Sequence, residues 1–158
     1  MAVAVALVCA ITAHAAAPAG FYKSVVLAPA ASFVAGKPVT VYCANSEYDW
    51  QQYGGTGSEH GLAVPGSSVI KLDPDVCRLL RATTIKDGFG ASLLVLVHES
   101  IHARGEKEEG VTDCSAVHEM PRVAVKFFHV KAGKQLRAVM ANAWHYRAGE
   151  TAVYRSVC

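Results

Sequence analysis

Residues 93–105 read L-L-V-L-V-H-E-S-I-H-A-R-G, and the placement of this stretch decides the fold. Five aliphatic residues in a row leave no polar face, so the segment predicts a helix buried on all sides rather than one lying on a surface. The helix is expected to begin after Asp87-Gly88, to run through Ala91 to about Ala103 and to stop at Gly105. Its last turns carry His98-Glu99-Ser100-Ile101-His102, an H-E-x-x-H sequence. Positions i and i+4 share one helix face, so both imidazoles can reach a single ion. Glu99, next to the first histidine, is placed to take a proton from a water at that ion. Two surface histidines one turn apart would be the plainer explanation, but that leaves unexplained why so apolar a helix ends on them.

Working outward, residues 39–43 (V-T-V-Y-C) and 68–72 are β-branched or apolar enough to read as short strands. Asp73-Pro74 is a helix start, with Asp73 as the cap and Pro74 in the first turn. That helix should end by residue 84. A third helix is expected from about Glu108 towards Val130, interrupted or bent at Pro121. A fourth covers 134–147, amphipathic through Leu136, Val139, Met140 and Trp144. Residues 18–37 read as loop with short extended pieces, and the glycine-rich 51–61 as an exposed loop. The prediction is an α+β fold: N-terminal short strands followed by about four helices, with the H-E-x-x-H helix in the centre. The 68–72 strand is expected to offer an edge along which an extended substrate could lie.

A catalytic zinc needs three protein ligands and an open position. Glu106, Glu108, Glu109 and Asp113 follow His102 closely. In one arrangement Gly105 and Glu108 complete an H-E-x-x-H-x-x-G-x-x-ligand pattern of metzincin type. In the other, Glu109 binds zinc, while Asp113, one turn on, accepts a hydrogen bond from a ligand histidine, His98 above all. The second arrangement accounts for two acidic residues at helical spacing, and Ala116 on the same face lets the helices approach. A carboxylate behind a ligand imidazole fixes its tautomer. A solvated acidic helix start explains Glu106 and Glu108 well but Asp113 poorly.

The segment 98–116, H-E-S-I-H-A-R-G-E-K-E-E-G-V-T-D-C-S-A, resembles the active-site segment of small secreted zincin-like proteins of actinobacterial type. More broadly it is similar to the gluzincins, in which a glutamate on a following helix is the third ligand and an aspartate four residues later bonds to a ligand histidine. The resemblance implies His98, His102 and Glu109 as ligands of one catalytic Zn2+, Glu99 as base and Asp113 behind His98. The interval from His102 to Glu109 is shorter than in the large gluzincins, and the segment carries no family tyrosine or histidine for stabilising an oxyanion. His118, His129 and the pair His145-Tyr146 are remaining donors of the right chemistry, though each reads more simply as a packed or surface side chain. Arg104 reads as a helix-end charge, and Tyr48, Trp50 and Tyr53 as core aromatics.

The 158 residues suffice for one domain. A net charge of +2 without basic runs gives no argument for nucleic acid as partner. Residues 1–17 form an apolar run ending in small residues, too short to span a bilayer, with Ala13-His14-Ala15 as cleavage site; no Lys or Arg precedes it. They read as a signal peptide, followed by one domain over 18–158 that is secreted, has no membrane partner and acts as a monomer. Cys9 would leave with the leader. Cys43, Cys77, Cys114 and Cys158 then suggest two disulfides, paired Cys77 with Cys114 and Cys43 with Cys158. The expected function is a zinc-dependent hydrolase, a metallopeptidase with a peptide or protein substrate. The rival is a secreted zinc-binding domain without turnover, which would not need Glu99.

Overall fold

A computed structural model of the protein describes residues 16–55 and 59–149. The leader expected over 1–17 lies outside the described residues up to position 15, as does Cys158.

The described chain runs β1 (Phe21–Lys23), α1 (Ala28–Ala35), β2 (Thr40–Ala44), α2 (Glu47–Gln52), β3 (Gly61–Leu62), β4 (Val69–Leu72), α3 (Pro74–Leu80), α4 (Phe89–Arg104), α5 (Glu109–Phe128) and α6 (Lys134–Gly149). This is an α+β fold, with one four-stranded sheet in the order β1-β2-β4-β3. β1 is antiparallel to β2, β2 parallel to β4, and β3 antiparallel to β4. The strand at 69–72 is therefore interior, not the substrate edge expected of it. β3 takes its outer flank, with Gly61 opposite Leu72 and Leu62 opposite Lys71.

Helix α4 is the hub. Leu93, Leu94, Leu96, Val97, Ile101 and Ala103 are all buried, and α1, α3, α5, α6, β3 and β4 pack around it. Its apolar run is covered by these elements on most sides, with Val95 alone of the five aliphatic residues only partly buried. At Gly90, a Cβ would stand 2.1 Å from the Val139 carbonyl oxygen, so glycine there permits the close crossing of α4 and α6. Gly105, at φ 128°, ends the helix and turns the chain towards α5.

One helix, α1, stands where loop with extended pieces was expected, and a second, α2, lies mostly in a stretch for which no element was expected. In α1, Pro29 lies in the first turn and Gly36, at φ 68°, closes the C-terminus, but Leu27 at the N-cap offers no capping side chain. The alanines of A-P-A-A-S-F-V-A have high helix propensity, and Ala30, Ala31, Val34 and Ala35 are buried. In α2, Ser46 caps through its hydroxyl, accepting the Asp49 N–H at 3.2 Å. Of the interruption or bend expected at Pro121, the interruption is not seen: α5 runs as one helix through it. A proline removes one backbone bond; Val117, Met120, Val123 and Ala124, buried on both sides of it, hold the helix in place.

Cys43 and Cys77 form a disulfide joining β2 to α3, with Cα atoms 6.0 Å apart. This corrects both expected pairings: β2 and α3 are neighbours, and their cysteines meet at a bridgeable distance. Cys114 is also disulfide-bonded; its partner lies outside the described residues. Among the described residues no helix is long and apolar enough to cross a membrane.

Candidate metal centre

Helical spacing on α4 brings the rings of His98 and His102 edge to face, with centroids 4.7 Å apart. Their Nε2 atoms are 3.0 Å apart. Gly105 then reverses the chain, and the turn is held by Glu106, whose Oε1 accepts the N–H groups of Lys107 at 2.8 Å and Glu108 at 3.0 Å. Those two bonds, Glu108's the larger, lower the Glu106 pKa from its ordinary value. Glu106 is thus used in the turn, and Glu108 is exposed at the N-cap of α5. Glu109, the first residue of α5, is the acid that returns to the histidines. Its Oε2 lies 3.1 Å from His98 Nε2 and 3.3 Å from His102 Nε2.

These three atoms make a triangle of sides 3.0, 3.1 and 3.3 Å. Donors bound at about 2.0–2.2 Å around a tetrahedral ion stand about 3.3–3.6 Å apart, within a few tenths of an ångström of this arrangement. The donor chemistry agrees. His102 Nδ1 donates to the Glu106 carbonyl at 2.8 Å, so in the neutral ring Nε2 carries a lone pair. A lone pair and a carboxylate oxygen turned towards one point are satisfied by a cation. Among the described residues, His98, His102 and Glu109 are the group able to hold a metal ion. Hydrogen bonding from His98 is the main reason the Glu109 pKa is lowered, against a smaller rise from burial.

Behind the triangle, Asp113 is 4% exposed, and its Oδ1 lies 3.9 Å from His98 Nδ1, an ion-pair distance longer than a hydrogen bond. Its other oxygen accepts from Nε of Arg147 on α6. Glu99 is 8% exposed. On the protein's own charges, burial pushes its carboxyl up to about 8, and the charge of Glu109 adds to the rise. A hydrogen bond from the Ala63 backbone works the other way. Gly61 fits here because it lacks a side chain: its Cβ would stand 2.6 Å from Glu99 Cγ.

His98, Glu99, His102, Glu109 and Asp113 all line one cavity of about 200 Å3. Its opposite wall is the 59–63 segment leading through β3, with Pro65, and it includes Tyr146 of α6. Within the expected His145-Tyr146 pair, Tyr146 reaches the cavity and His145 is exposed. His118, His129 and Arg104 are exposed and do not line it. Trp50 is core, donating from Nε1 to the Glu59 carbonyl, while Tyr48 is exposed and Tyr53 packs edge-on against Phe21. Sequence reasoning missed His60. It lines the cavity and is paired with Asp73, which was expected only as a helix cap. No protein-family model, curated protein or solved structure matches the chain, so its own geometry carries the functional reading.

Proposed function

We propose that the protein is a zinc-dependent hydrolase of peptide or other amide bonds, of the zincin kind that its 98–116 segment resembles, acting outside the cytoplasm. One observation carries this reading: His98 Nε2, His102 Nε2 and Glu109 Oε2 converge beside the buried carboxyl of Glu99, in a cavity large enough to admit part of a substrate. Two imidazoles and a carboxylate are a donor set suited to catalytic zinc. When bound, the ion supplies Lewis-acid polarisation of a carbonyl and makes water at the site more acidic. Glu99 does the proton work. A divalent charge nearby favours its carboxylate form. That carboxylate takes a proton from the water that attacks the carbonyl carbon, and delivers it to the amine as the C–N bond breaks. The Ala63 N–H holds the carboxylate in place meanwhile, and the bare backbone of Gly61 leaves room for it.

β3 is the outer strand of the sheet and borders the same cavity, so an extended peptide can add along it as a further strand. An extracytoplasmic site is supported by the leader pattern and by the Cys43–Cys77 disulfide. The test is cleavage of an internally quenched peptide library by zinc-loaded wild type and Glu99→Gln. Wild type is expected to cleave, and the variant to keep zinc but lose about 10²–10⁴-fold in rate. A fully zinc-loaded wild type that cleaves nothing contradicts the hydrolase reading and favours a zinc-binding domain without turnover.

A further inference from the structure

Charge is divided unevenly along the chain. Up to residue 119 there are eight Lys and Arg against twelve Asp and Glu; from 120 to 149 there are six against none. Arg147 is buried against Asp113, which leaves Arg122, Lys126, Lys131, Lys134 and Arg137, all of them exposed. Intervals of three to five residues make no basic run, but they are the intervals that gather side chains on one face of a helix. The fold then brings two such faces together. α5 ends at Phe128, the chain turns, and α6 starts at Lys134; the two helices pack on each other and both pack on α4. Their α4-facing sides are inward, so the exposed sides look outward. Arg122 is paired with Glu119 at 2.6 Å, while the other four make no ion pair among the described residues. Phe33 of α1 holds two of the cations, with Lys126 Nζ 3.9 Å and Arg122 Cζ 4.6 Å from its ring centre.

From Lys134 and Arg137 the outer face of α6 continues through Ala141 to Trp144, at intervals of three or four. Trp144 is 44% exposed, and so is Val125 on the outer face of α5. The metal-site cavity is lined by none of these residues. The cations spread over two helices and the turn between them, which suits an extended anionic surface better than a single phosphate group. An exposed tryptophan beside such cations suits a lipid headgroup layer, which takes the ring at its boundary and the cations at its phosphates. We propose that the outer surface of α5 and α6 docks on an anionic phospholipid bilayer, with Lys126, Lys131, Lys134 and Arg137 at the lipid phosphates and Trp144 in the headgroup layer. This is contact with a surface and needs no spanning helix, and it departs from the expectation of no membrane partner. Glu109 and Lys126 are separated along α5 by about 25 Å at 1.5 Å per residue. The docking surface is therefore remote from the metal centre and stands whether or not the protein is a hydrolase.

The experiment measures co-sedimentation of the purified chain with vesicles of phosphatidylcholine alone, and of phosphatidylcholine with roughly a third phosphatidylglycerol. Tryptophan emission is followed in parallel. Trp50 is 2% exposed in the core, so a change in emission on binding reports Trp144. Wild type is expected to bind the anionic vesicles at least about tenfold more tightly than the neutral ones, less tightly as salt rises, and with a blue shift. Lys131→Gln/Lys134→Gln/Arg137→Gln alters exposed side chains alone and should keep the wild-type urea midpoint. At about fivefold per charge it should lose on the order of 10²-fold in affinity for the anionic vesicles, and adding Lys126→Gln about fivefold more. Each single substitution gives the same reading if the combined variant is unstable. Trp144→Phe should still bind and lose the shift. Equal binding of wild type to both vesicles, or wild-type affinity in the charge variants, overturns the proposal. Binding without a blue shift, matched by equal affinity for soluble inorganic polyphosphate, also overturns it and assigns the surface to a soluble polyanion.

Discussion

Arg147 on α6 donates from Nε to Oδ2 of Asp113 on α5, and both side chains are almost wholly buried. The other oxygen of Asp113 faces His98 Nδ1 at 3.9 Å, so α6 is joined through one carboxylate to the candidate metal centre. Removing one partner of a buried pair leaves the other charge uncompensated. Arg147→Met should therefore destabilise the fold by about 3–5 kcal/mol, read as a drop in the denaturant midpoint. Asp113→Asn is expected to weaken metal binding about 10–100-fold in chelator competition. Unchanged metal affinity in Asp113→Asn would separate the ion pair from the site.

The pH dependence of the metal-free protein has a sign set by Glu99. Its folded pKa, about 8, lies above the ordinary 4.5. Between those values the native state holds a proton that the unfolded chain has released, so stability falls as pH rises through the window. Glu109 runs the opposite way: its folded pKa is lowered, and its contribution is lost as pH falls below 4.5. Urea midpoints at pH 5.5 and 8.5 should therefore decrease with pH in wild type and lose most of that slope in Glu99→Gln.

Gly61→Ala places a methyl 2.6 Å from Glu99 Cγ and 2.9 Å from Val95 Cγ1. The nearest atoms belong to Glu99 and Val95, so Glu99 must move. Zinc content should stay at wild-type level, turnover should fall at least about tenfold, and overpacking should lower stability by about 1–3 kcal/mol. Wild-type kcat in this variant would show that Glu99 needs no such fixed placement.

The Cys43–Cys77 bridge closes a loop between residues 34 apart in sequence. In the chain-entropy account a loop of that length contributes about 3–4 kcal/mol. Cys43→Ala/Cys77→Ala should lose that much in urea denaturation, and this double variant should respond less than wild type to added reductant.

What could be read from the sequence was local. The i,i+4 spacing of His98 and His102, the apolar run before them and the stop at Gly105 are all written within one helix. Asp73 was recognisable as a cap for the same reason. The choice of Glu109 over Glu108 depends on where α5 starts after the Glu106 turn, a matter of one residue. Helix α1 carried no N-cap signal, although Ser46 with Asp49 three residues on would have signalled α2. The disulfide partners and His60 lay beyond local reading. Cys43 meets Cys77, and His60 meets Asp73, through sheet register and helix packing that no spacing rule encodes.

The most direct measurement is zinc stoichiometry of the purified protein by mass spectrometry, for wild type, Glu109→Ala and Glu108→Ala. The account predicts one zinc per chain in wild type and in Glu108→Ala, and loss of zinc in Glu109→Ala. Zinc retained in Glu109→Ala, or absent from a folded wild type refolded with metal and intact disulfides, would contradict it.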